Sequence, residues 1–515
     1  MKSTQIDWTD ALDGCRVIGT LPADVTGVFY DSRQVVPGSL FVAVPGAMPP
    51  LSQDGHGFLR AAVDRGAAAL VVQADRREQW ESLQDGRVAL IVAPDSRRAL
   101  ARLAAAYNGY PARQLRTIGV TGTDGKTTTV HMTASALAAA GASTGFLSSV
   151  EFQTSGDPQI NATHMTTLQS PEVQTALAEM VDAGREYAVI EASSHGLALN
   201  RVDDCEFDVA VFTTLSADHL DFHRTLDDYL AAKGRLFEML DESVDKGVAK
   251  TAVLNADDPA SARLRARTRA RALTYGIEAA ADVRAEDVSL QGFSSTARLR
   301  TSAGDIDLTL PVPGLYSVYD ALAAVAVGLA FDLPLATLAE GLLRFRGVPG
   351  RMEMIDCGQP FQVVVDIAST PDALRRVLEV LRSQTQGRLI AVFGCAGERD
   401  RGRRDGMGRV AGELADFVIL TNEDPRTEDP DAIVSEIAAG LIKNGRHEGN
   451  VFARVLDRRA ALREAFRRAH AGDVVLLAGK GTEQSIVVGR EHYPWDERVV
   501  ARELLGEMFD ASQPA

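Results

Sequence analysis

Cysteine is scarce in this chain of 515 residues, which has only Cys15, Cys205, Cys357 and Cys395. No two of them form a CxxC pair, so the spacing excludes a zinc ribbon and offers no disulfide framework. Such usage is typical of a reducing compartment. The first residues lack the apolar segment of a signal peptide, and no run of 18 or more apolar residues predicts a membrane span. We therefore expect a cytoplasmic protein with no membrane span.

An excess of positive charge is also missing. The chain has 54 Lys and Arg residues against 70 Asp and Glu residues, for a formal net charge of -16. General nucleic-acid binding requires a basic surface, so no nucleic-acid partner is expected. The acidic balance does not exclude a small anionic ligand that is held by a few local cations.

Short apolar runs alternate with Ala- and Leu-rich helical segments along nearly the whole chain. The runs "RVALIVA", "AVIEAS" and "DVVLLAG" are examples, and each precedes turn residues and a helical pattern. This alternation is typical of parallel α/β units, whose ligands bind at the carboxyl ends of the strands. Breaks at "AAYNGYPARQ" and around Gly347, Pro349 and Gly350 predict three α/β domains, over residues 1–110, 111–346 and 347–515.

The segment "LRTIGVTGTDGKTTTV" predicts a strand, a glycine-containing loop and a helix. The usual phosphate-loop pattern has a glycine five residues before its Gly-Lys pair, where this chain has Val120. Backbone N–H groups at the start of a helix still favour an anion there. We expect Lys126 to reach the β- and γ-phosphates of ATP and Thr127 to bind Mg²⁺. The predicted nucleotide-binding residues are Gly122, Thr123, Asp124, Gly125, Lys126, Thr127 and Thr128.

Acidic and histidine side chains follow two further predicted strands, in "EASSHGLALNRV" and "FTTLSADHLDFHRTL". Magnesium bound to phosphates takes one or two protein ligands, and Glu191 and His219 are candidates for a second Mg²⁺. Each of His195, His219 and His223 alone would more often be a capping or core residue. Their grouping beside carboxylates favours a functional role. Lys233, in an Ala- and Leu-rich helix, reads from its sequence context as an exposed lysine.

Several of these segments together resemble the Mur ligases, ATP-dependent amide-forming enzymes of peptidoglycan synthesis, and especially those of MurE type. The resemblance is carried by "TGTDGKTTT", by "DHLDFH" with "YLAAKGRLF", by "DSR" with "PGSLF" near the N-terminus, and by "NEDPR" and "LAGKGTEQ". Phosphate loops of that family lack the first glycine, as this one does. The resemblance implies an N-terminal uridine-binding domain, a central ATPase domain with a mostly parallel sheet, and a C-terminal Rossmann-like domain.

The resemblance also implies roles for individual residues. Lys233 would be an N6-carboxylysine, formed with CO₂, whose carbamate helps to hold Mg²⁺. With Lys126 and His219 it would form the catalytic group, and Thr127, Glu191, His219 and Lys233 would surround two Mg²⁺ ions. Further nucleotide contacts would be Asn255 and Arg351, although Asn255 reads equally well as a turn residue. Contacts to the UDP-muramoyl peptide would be Ser32, Thr166, Thr167, Ser193 and Arg201. Contacts to an incoming amino acid would be Arg399, Asp424, Arg426, Gly479 and Glu483.

The implied reaction joins a free diamino acid to UDP-N-acetylmuramoyl-L-alanyl-D-glutamate through an acyl phosphate, by a monomeric enzyme. Diaminopimelate, lysine and ornithine all stay open, because Asp424 stands where diaminopimelate enzymes have a neutral Asn. The chain also departs from the family pattern at Ser317, Asp320, Ser369 and Thr482. A folylpolyglutamate synthetase, another Mur ligase and a non-catalytic scaffold are the alternative hypotheses. The "DSR" and "PGSLF" motifs resemble the uridine-binding domain, which folylpolyglutamate synthetases lack, so they disfavour the folate hypothesis.

Overall fold

The structure is a computed structural model that describes residues 4–47, 53–84, 86–163, 165–216 and 218–509. The chain divides into two compact units. The first takes in the chain up to Val288, together with Ala297–Thr309 and Tyr316–Phe345, and the second takes in Ser289–Thr296, Leu310–Leu315 and the chain from Arg346 onward. The change of unit at Phe345 falls one residue before the predicted boundary of the last domain. The predicted boundaries of the individual domains remain a prediction.

The first sheet belongs to the N-terminal part of the first unit. Its strands are β1 (Arg16–Ile18), β2 (Val28–Phe29), β3 (Leu40–Val42), β4 (Ala69–Gln73) and β5 (Ala89–Ala93). They lie in the order β1-β5-β4-β3-β2, and all neighbouring pairs are parallel except β1 with β5. The helices of this region are α1 (Trp8–Ala11), α2 (Leu59–Asp64), α3 (Arg77–Trp80) and α4 (Ser96–Tyr107).

The second sheet is the largest in the described part of the chain, with eleven strands. They are β6 (Arg116–Thr121), β7 (Thr144–Leu147), β8 (Glu151–Gln153), β9 (Gln159–Ile160), β10 (Tyr187–Glu191), β11 (Val209–Phe212), β12 (Thr251–Asn255), β13 (Arg271–Gly276), β14 (Val283–Gln291), β15 (Ser294–Thr301) and β16 (Gly304–Leu310). Their order is β16-β15-β14-β13-β12-β11-β6-β10-β7-β8-β9. Pairing from β13 through β7 is parallel, whereas β7, β8 and β9 pair antiparallel.

Helices cover this sheet, and its central strands are buried along nearly their whole length. The helices are α5 (Lys126–Ala139), α6 (Ser170–Asp182), α7 (Ser194–Ala198), α8 (Leu220–His223), α9 (Leu226–Glu242), α10 (Ala260–Arg265), α11 (Leu315–Ala330) and α12 (Leu335–Leu343). The core between β10, β11 and α9 includes Ile190, Phe212 and Leu236, all at most 1% exposed. Strand β6 lies between β11 and β10, so the loop after β6 is at the centre of the sheet edge.

The second unit contains the third sheet. Its strands are β17 (Glu353–Ile355), β18 (Gln362–Asp366), β19 (Leu389–Phe393), β20 (Phe417–Leu420), β21 (Phe452–Arg454) and β22 (Val474–Ala478), in the order β17-β18-β22-β19-β20-β21. Only β17 runs antiparallel to its neighbour. A separate hairpin joins β23 (Ser485–Val488) to β24 (Glu491–Pro494). The helices are α13 (Pro371–Gln384), α14 (Gly402–Leu414), α15 (Pro430–Lys443), α16 (Arg458–Arg468) and α17 (Glu497–Phe509).

Short polar residues set where many of these helices begin. The side chains of Asp95, Thr225, Thr370 and Asp457 each accept a hydrogen bond from a backbone N–H of the first helical turn. Such caps satisfy donors that have no partner within the helix. The three-domain α/β class predicted from the sequence is confirmed. Among the helices that the structure describes, none has the length and apolarity that crossing a membrane requires.

Candidate active site

The phosphate loop connects β6 to α5 and is packed against the end of β11. A Cβ atom on Gly122 would lie 1.8 Å from Thr213 Oγ1, so only glycine fits there. Gly125 has a φ of 83°, a left-handed conformation that favours glycine. The Thr213 hydroxyl donates to the Asp124 carbonyl at 2.5 Å, which fastens the loop to the neighbouring strand. The glycine that makes the close approach to the neighbouring strand is therefore Gly122, two residues after Val120, which stands where the usual pattern has its first glycine.

Lys126 and Thr127 lie at the start of α5, followed by Thr128 in the same turn. The Lys126 ammonium donates to the carbonyls of Gly122 at 3.2 Å and Thr123 at 2.9 Å. It therefore lies directly over the loop, where a phosphate would be cradled by the backbone N–H groups.

Thr127 and Glu191 form the oxygen-rich side of this loop. The Thr127 hydroxyl lies 3.1 Å from Glu191 Oε2 and 2.9 Å from the Ser149 hydroxyl. Glu191, at the end of β10, is only 2% exposed and also accepts from the Ser149 N–H at 2.8 Å. Hard oxygen donors of this kind suit Mg²⁺, which needs few protein ligands when phosphates and water supply the rest. Among the described residues, no three or more His, Cys, Asp and Glu side chains are placed to hold a metal by themselves.

Lys233 is buried against the phosphate loop, contrary to the exposed position that its helix pattern alone suggests. Its side chain is on α9 and the residue is 1% exposed. The Lys233 amine donates to the Gly122 carbonyl at 2.6 Å and lies 4.1 Å from the centre of the Tyr229 ring. Burial, with the nearby charge of Lys126, lowers the pKa of Lys233 well below its usual value. A lowered pKa increases the share of the neutral amine, which is the nucleophilic form.

The three histidines of the sequence prediction lie together beside α9. The ring centre of His195 is 4.8 Å from that of His219 and 5.4 Å from that of His223. His219 has a φ of 52°, and its side chain is about half exposed, with Nε2 3.4 Å from the Asp218 carboxylate. The rings of His219 and Tyr229 are 6.2 Å apart, so this group is close to the Lys233 site.

A cleft of about 460 Å³ lies beside the ends of β11 and β12, and its lining includes Thr214, Asn255, Arg263 and Tyr319. Asn255 is the predicted adenosine contact. Its side-chain amide donates to the Thr213 carbonyl at 2.8 Å, and its side-chain oxygen accepts from the Asp257 N–H at 3.0 Å. Asn255 therefore stabilises the turn that shapes the cleft, as the alternative interpretation of this residue expected.

Three predicted contacts to the UDP-muramoyl peptide form one hydrogen-bonded group. The Thr167 and Ser193 hydroxyls are 3.0 Å apart, and the Arg201 guanidinium donates to the Thr167 carbonyl at 3.0 Å. Burial lowers the pKa of Arg201, and its Nε–H is buried with no hydrogen-bond partner among the described residues. Such a donor is suited to an anionic ligand. Thr166 precedes this group, and Ser32 lies in the turn after β2.

Two predicted amino-acid contacts of the second unit are joined by a lysine that the sequence prediction missed. Lys480 is completely buried, and its ammonium donates to Asp424 Oδ1 at 2.8 Å and to Glu483 Oε2 at 2.6 Å. Asp424 also accepts from the Val487 N–H at 2.9 Å. The Asp424 carboxylate is therefore already bonded within the protein, to a lysine that it shares with Glu483. The sequence did contain a signal for Lys480, because this lysine lies between the predicted contacts Gly479 and Glu483 in "LAGKGTEQ".

The remaining predicted residues of the second unit lie on the loops around this ion pair. Gly479 has a φ of 103°, and a Cβ atom there would be 3.0 Å from Glu423 Oε2. Arg426 has a φ of 53°, and its N–H donates to the Val487 carbonyl at 3.0 Å. Arg399 is exposed on the loop between β19 and α14. Arg351 lies just before β17, close enough to lower the pKa of Asp366, which burial raises overall.

Comparison with known proteins agrees with this arrangement of sheets and loops. Family descriptions match the Mur ligase catalytic domain over residues 24–108, the Mur ligase middle domain over residues 120–328 and the Mur ligase glutamate ligase domain over residues 350–481. The chain belongs to the Mur ligase family, and it is an ATP-dependent amide ligase of peptidoglycan synthesis.

Two curated relatives and one solved structure place the chain more narrowly. The UDP-N-acetylmuramyl-tripeptide synthetase of Roseiflexus sp. (strain RS-1) is 46% identical over 495 residues, which are 94% of this chain and 95% of that protein. The UDP-N-acetylmuramoyl-L-alanyl-D-glutamate--2,6-diaminopimelate ligase of Bacillus licheniformis is 40% identical, with 94% and 95% covered. A solved structure of a ligase of that same name is 31% identical, with a TM-score of 0.65, and 94% and 95% of the two chains are covered.

Proposed function

We propose that this ligase joins 2,6-diaminopimelate to the D-glutamate of UDP-N-acetylmuramoyl-L-alanyl-D-glutamate, with ATP as the energy source. The observation that carries the proposal is the convergence of two lysines on one carbonyl of the phosphate loop. Lys126 and the buried Lys233 both donate to Gly122 O, at 3.2 and 2.6 Å. The relatives that carry this substrate in their names cover nearly the whole chain.

The chemistry begins with transfer of the γ-phosphoryl group of ATP to the D-glutamate γ-carboxylate. The amine of the diamino acid then attacks this acyl phosphate, and the amide forms with release of phosphate. Two anions must approach each other in the first step, so the protein's task is positioning and charge neutralisation. Lys126 offsets the growing negative charge on the phosphates, and the partly buried Arg201 holds the UDP-muramoyl peptide.

The proposal also includes two groups that the amino-acid sequence does not encode, a Mg²⁺ ion and a carbamate on Lys233. Mg²⁺, when bound, neutralises phosphate oxygens, and the oxygen donors of Thr127 and Glu191 fit it, with His219 as a further candidate ligand. Lys233 is proposed to carry a carbamate. Its neutral amine would form an N–C bond to CO₂ and lose a proton, which converts a lysine into an anion that suits a cation beside the loop.

Diaminopimelate is favoured over lysine and ornithine because the charge of Asp424 is not available to a substrate. Lys480 and the Val487 N–H already bind this carboxylate, at 2.8 and 2.9 Å. An unpaired aspartate would repel the second carboxylate of diaminopimelate and attract the bare ammonium of lysine. An aspartate that is bonded to a backbone N–H and to a buried lysine, even one shared with Glu483, discriminates less than a free one.

The test is an ADP-release assay with the purified protein, the UDP-muramoyl dipeptide and a panel of diaminopimelate, lysine and ornithine. We expect release only when the dipeptide and an amino acid are both present, with the highest kcat/KM for diaminopimelate. A preference for lysine or ornithine would overturn the substrate assignment. Extension of folates in place of the dipeptide would replace the proposal with the folylpolyglutamate synthetase hypothesis.

A further inference from the structure

The amino-acid region of the second unit contains polar atoms that are buried and have no hydrogen-bond partner among the described residues. They are Oε2 of Glu423, Nε of Arg426, and both Nε and Nη2 of Arg403. Buried polar groups are nearly always paired, because an unpaired one loses its bonds to water without replacement. Donors and acceptors of this kind in one region are therefore available to a ligand.

Arg403 stands out because its two unpaired donors lie on one edge of the guanidinium group. The Nε–H and the Nη2–H point in parallel and match the two oxygens of a carboxylate. The same edge is used elsewhere in this unit. Arg458 donates from Nε to Glu497 Oε2 at 2.9 Å and from Nη2 to Glu497 Oε1 at 2.7 Å. Arg403 thus presents a carboxylate-binding edge that is aimed into the protein.

The surroundings of Arg403 do not supply an anion that uses this edge. Cys395 lies within weak hydrogen-bonding reach of the Arg403 side chain, but burial raises the pKa of that thiol to about 12, so its sulfur is a neutral acceptor and offers no negative charge. Arg403 also lies near Glu423. Burial raises the pKa of Glu423 to about 7, and the positive charge of Arg403 is one of those that limit this rise. The unpaired Glu423 Oε2 shows that this nearby acid is not bonded to Arg403 through that atom.

An amino-acid zwitterion fits these unpaired atoms better than a phosphate does. A zwitterion has a carboxylate for Arg403 and an ammonium for an acidic partner such as Glu423. A phosphate has negative charge alone and would be repelled by Glu423. The backbone of Gly479 passes close to the same acid, since a Cβ there would be 3.0 Å from Glu423 Oε2.

We propose that Arg403 binds a carboxylate of the incoming diamino acid through its Nε and Nη2 edge and thereby sets the KM for that substrate. Neither Arg403 nor its edge was among the residues that the sequence singled out. The inference rests on the proposed function, because it takes the incoming diamino acid as the ligand. It assigns Arg403 to substrate binding, on a helix whose neighbouring arginine, Arg404, is paired through its Nη2 and Nη1 groups with Glu428 and Glu436, at 3.0 and 2.8 Å.

The test compares Arg403→Gln and Arg403→Lys with the control Arg409→Gln. Arg409 is on the same helix but is exposed and paired with Asp405 at 3.1 Å. Steady-state assays of the full chain measure KM separately for diaminopimelate, the UDP-muramoyl dipeptide and ATP. Loss of a bidentate charged pair predicts a rise of about 10- to 100-fold in the KM for diaminopimelate in Arg403→Gln. The other two KM values should stay within about 2-fold, and Arg403→Lys should recover part of the loss.

Three outcomes would overturn the inference. They are an unchanged KM for diaminopimelate in Arg403→Gln, an equal rise in all three KM values, and the same effect in Arg409→Gln. If Arg403→Gln does not fold, Arg403→Lys carries the test, since it keeps the charge but loses the paired edge. Inorganic phosphate should not compete with diaminopimelate at the wild-type site, and competition that Arg403→Gln abolishes would assign the edge to phosphate. A wild-type protein that is inactive with every diamino acid would instead refute the proposed function.

Discussion

Asp320 lies against the glycine that ends the phosphate loop: its Oδ1 is 2.5 Å from the position that a Cβ on Gly125 would occupy. Asp320 Oδ1 also accepts a hydrogen bond from the Thr129 hydroxyl at 3.0 Å. Complete burial raises the pKa of Asp320 to about 8. This carboxyl group is therefore mainly protonated near neutral pH, which explains how an acid is tolerated at this buried position, where the chain departs from the family pattern.

Asp320→Asn should make the protein less sensitive to alkaline pH. The pKa of Asp320 is raised in the folded state, so its contribution to stability is full at low pH and is lost as the pH rises towards about 8. Asparagine does not titrate. We expect the difference in Tm between Asp320→Asn and wild type to favour the variant more at pH 9 than at pH 6. Thermal unfolding at both pH values measures this, with exposed Asp75→Asn as the control. A difference that does not change with pH would contradict the protonated state of Asp320.

Gly122→Ala should abolish nucleotide binding. The added methyl group would lie 1.8 Å from Thr213 Oγ1, so either the loop or the end of β11 must move. We expect the affinity for ATP to fall at least about 100-fold, because the backbone N–H groups no longer converge on the phosphates. Isothermal titration with ATP measures it. Gly57→Ala is the matched control, since a Cβ atom there meets nothing within 4 Å. Tight ATP binding by Gly122→Ala would show that the loop does not need this close approach.

Lys233→Ala should inactivate the enzyme while leaving it folded. If the lysine carries a carbamate, the variant loses an anion, and millimolar acetate or formate should restore part of the activity by filling the space. Incubation of wild type with ¹³C-labelled CO₂ should give a carbamate signal in the ¹³C spectrum that Lys233→Ala lacks. The exposed Lys443, paired with Asp405, provides the control substitution. Full activity of wild type after rigorous removal of CO₂ would count against the modification.

Glu497→Gln should destabilise the second unit strongly. Arg458 and Glu497 form an ion pair whose side chains are 1% and 0% exposed, and the glutamate also accepts from the Trp495 indole at 2.7 Å. Removing one charge leaves the other buried without compensation, at a cost of about 3–5 kcal/mol. Urea unfolding, followed by circular dichroism, measures the change. Glu503→Gln breaks an exposed pair with Arg459, and we expect it to cost at most about 1 kcal/mol. Equal effects of the two variants would refute the assignment.

The parts of the site that the sequence predicts well are those built from neighbouring residues. A strand, a glycine loop, Lys126 and a helix follow one another directly, so their geometry depends on local rules of backbone conformation. The α/β architecture is equally local, because each apolar run is followed by its own helix.

Pairings between distant segments were not accessible in the same way. Lys233 looks exposed because its helix pattern does not show that the helix packs against a loop 111 residues earlier in the chain. Lys480 and Asp424 are 56 residues apart, and nothing in either motif states that their charges meet. Asn255 was ambiguous because a turn residue and a ligand contact use the same amide.

Lys480 has one positive charge but donates hydrogen bonds to two carboxylates. They belong to Asp424, on the loop after β20, and to Glu483, on the loop after β22. If the charge at residue 424 were removed, Lys480 would pair with Glu483 alone. If residue 483 were changed, the ion pair between Lys480 and Asp424 would change as well. Substitutions at these two positions should therefore be non-additive. To change the amino acid that the enzyme accepts, residues 424, 480 and 483 therefore have to be substituted together.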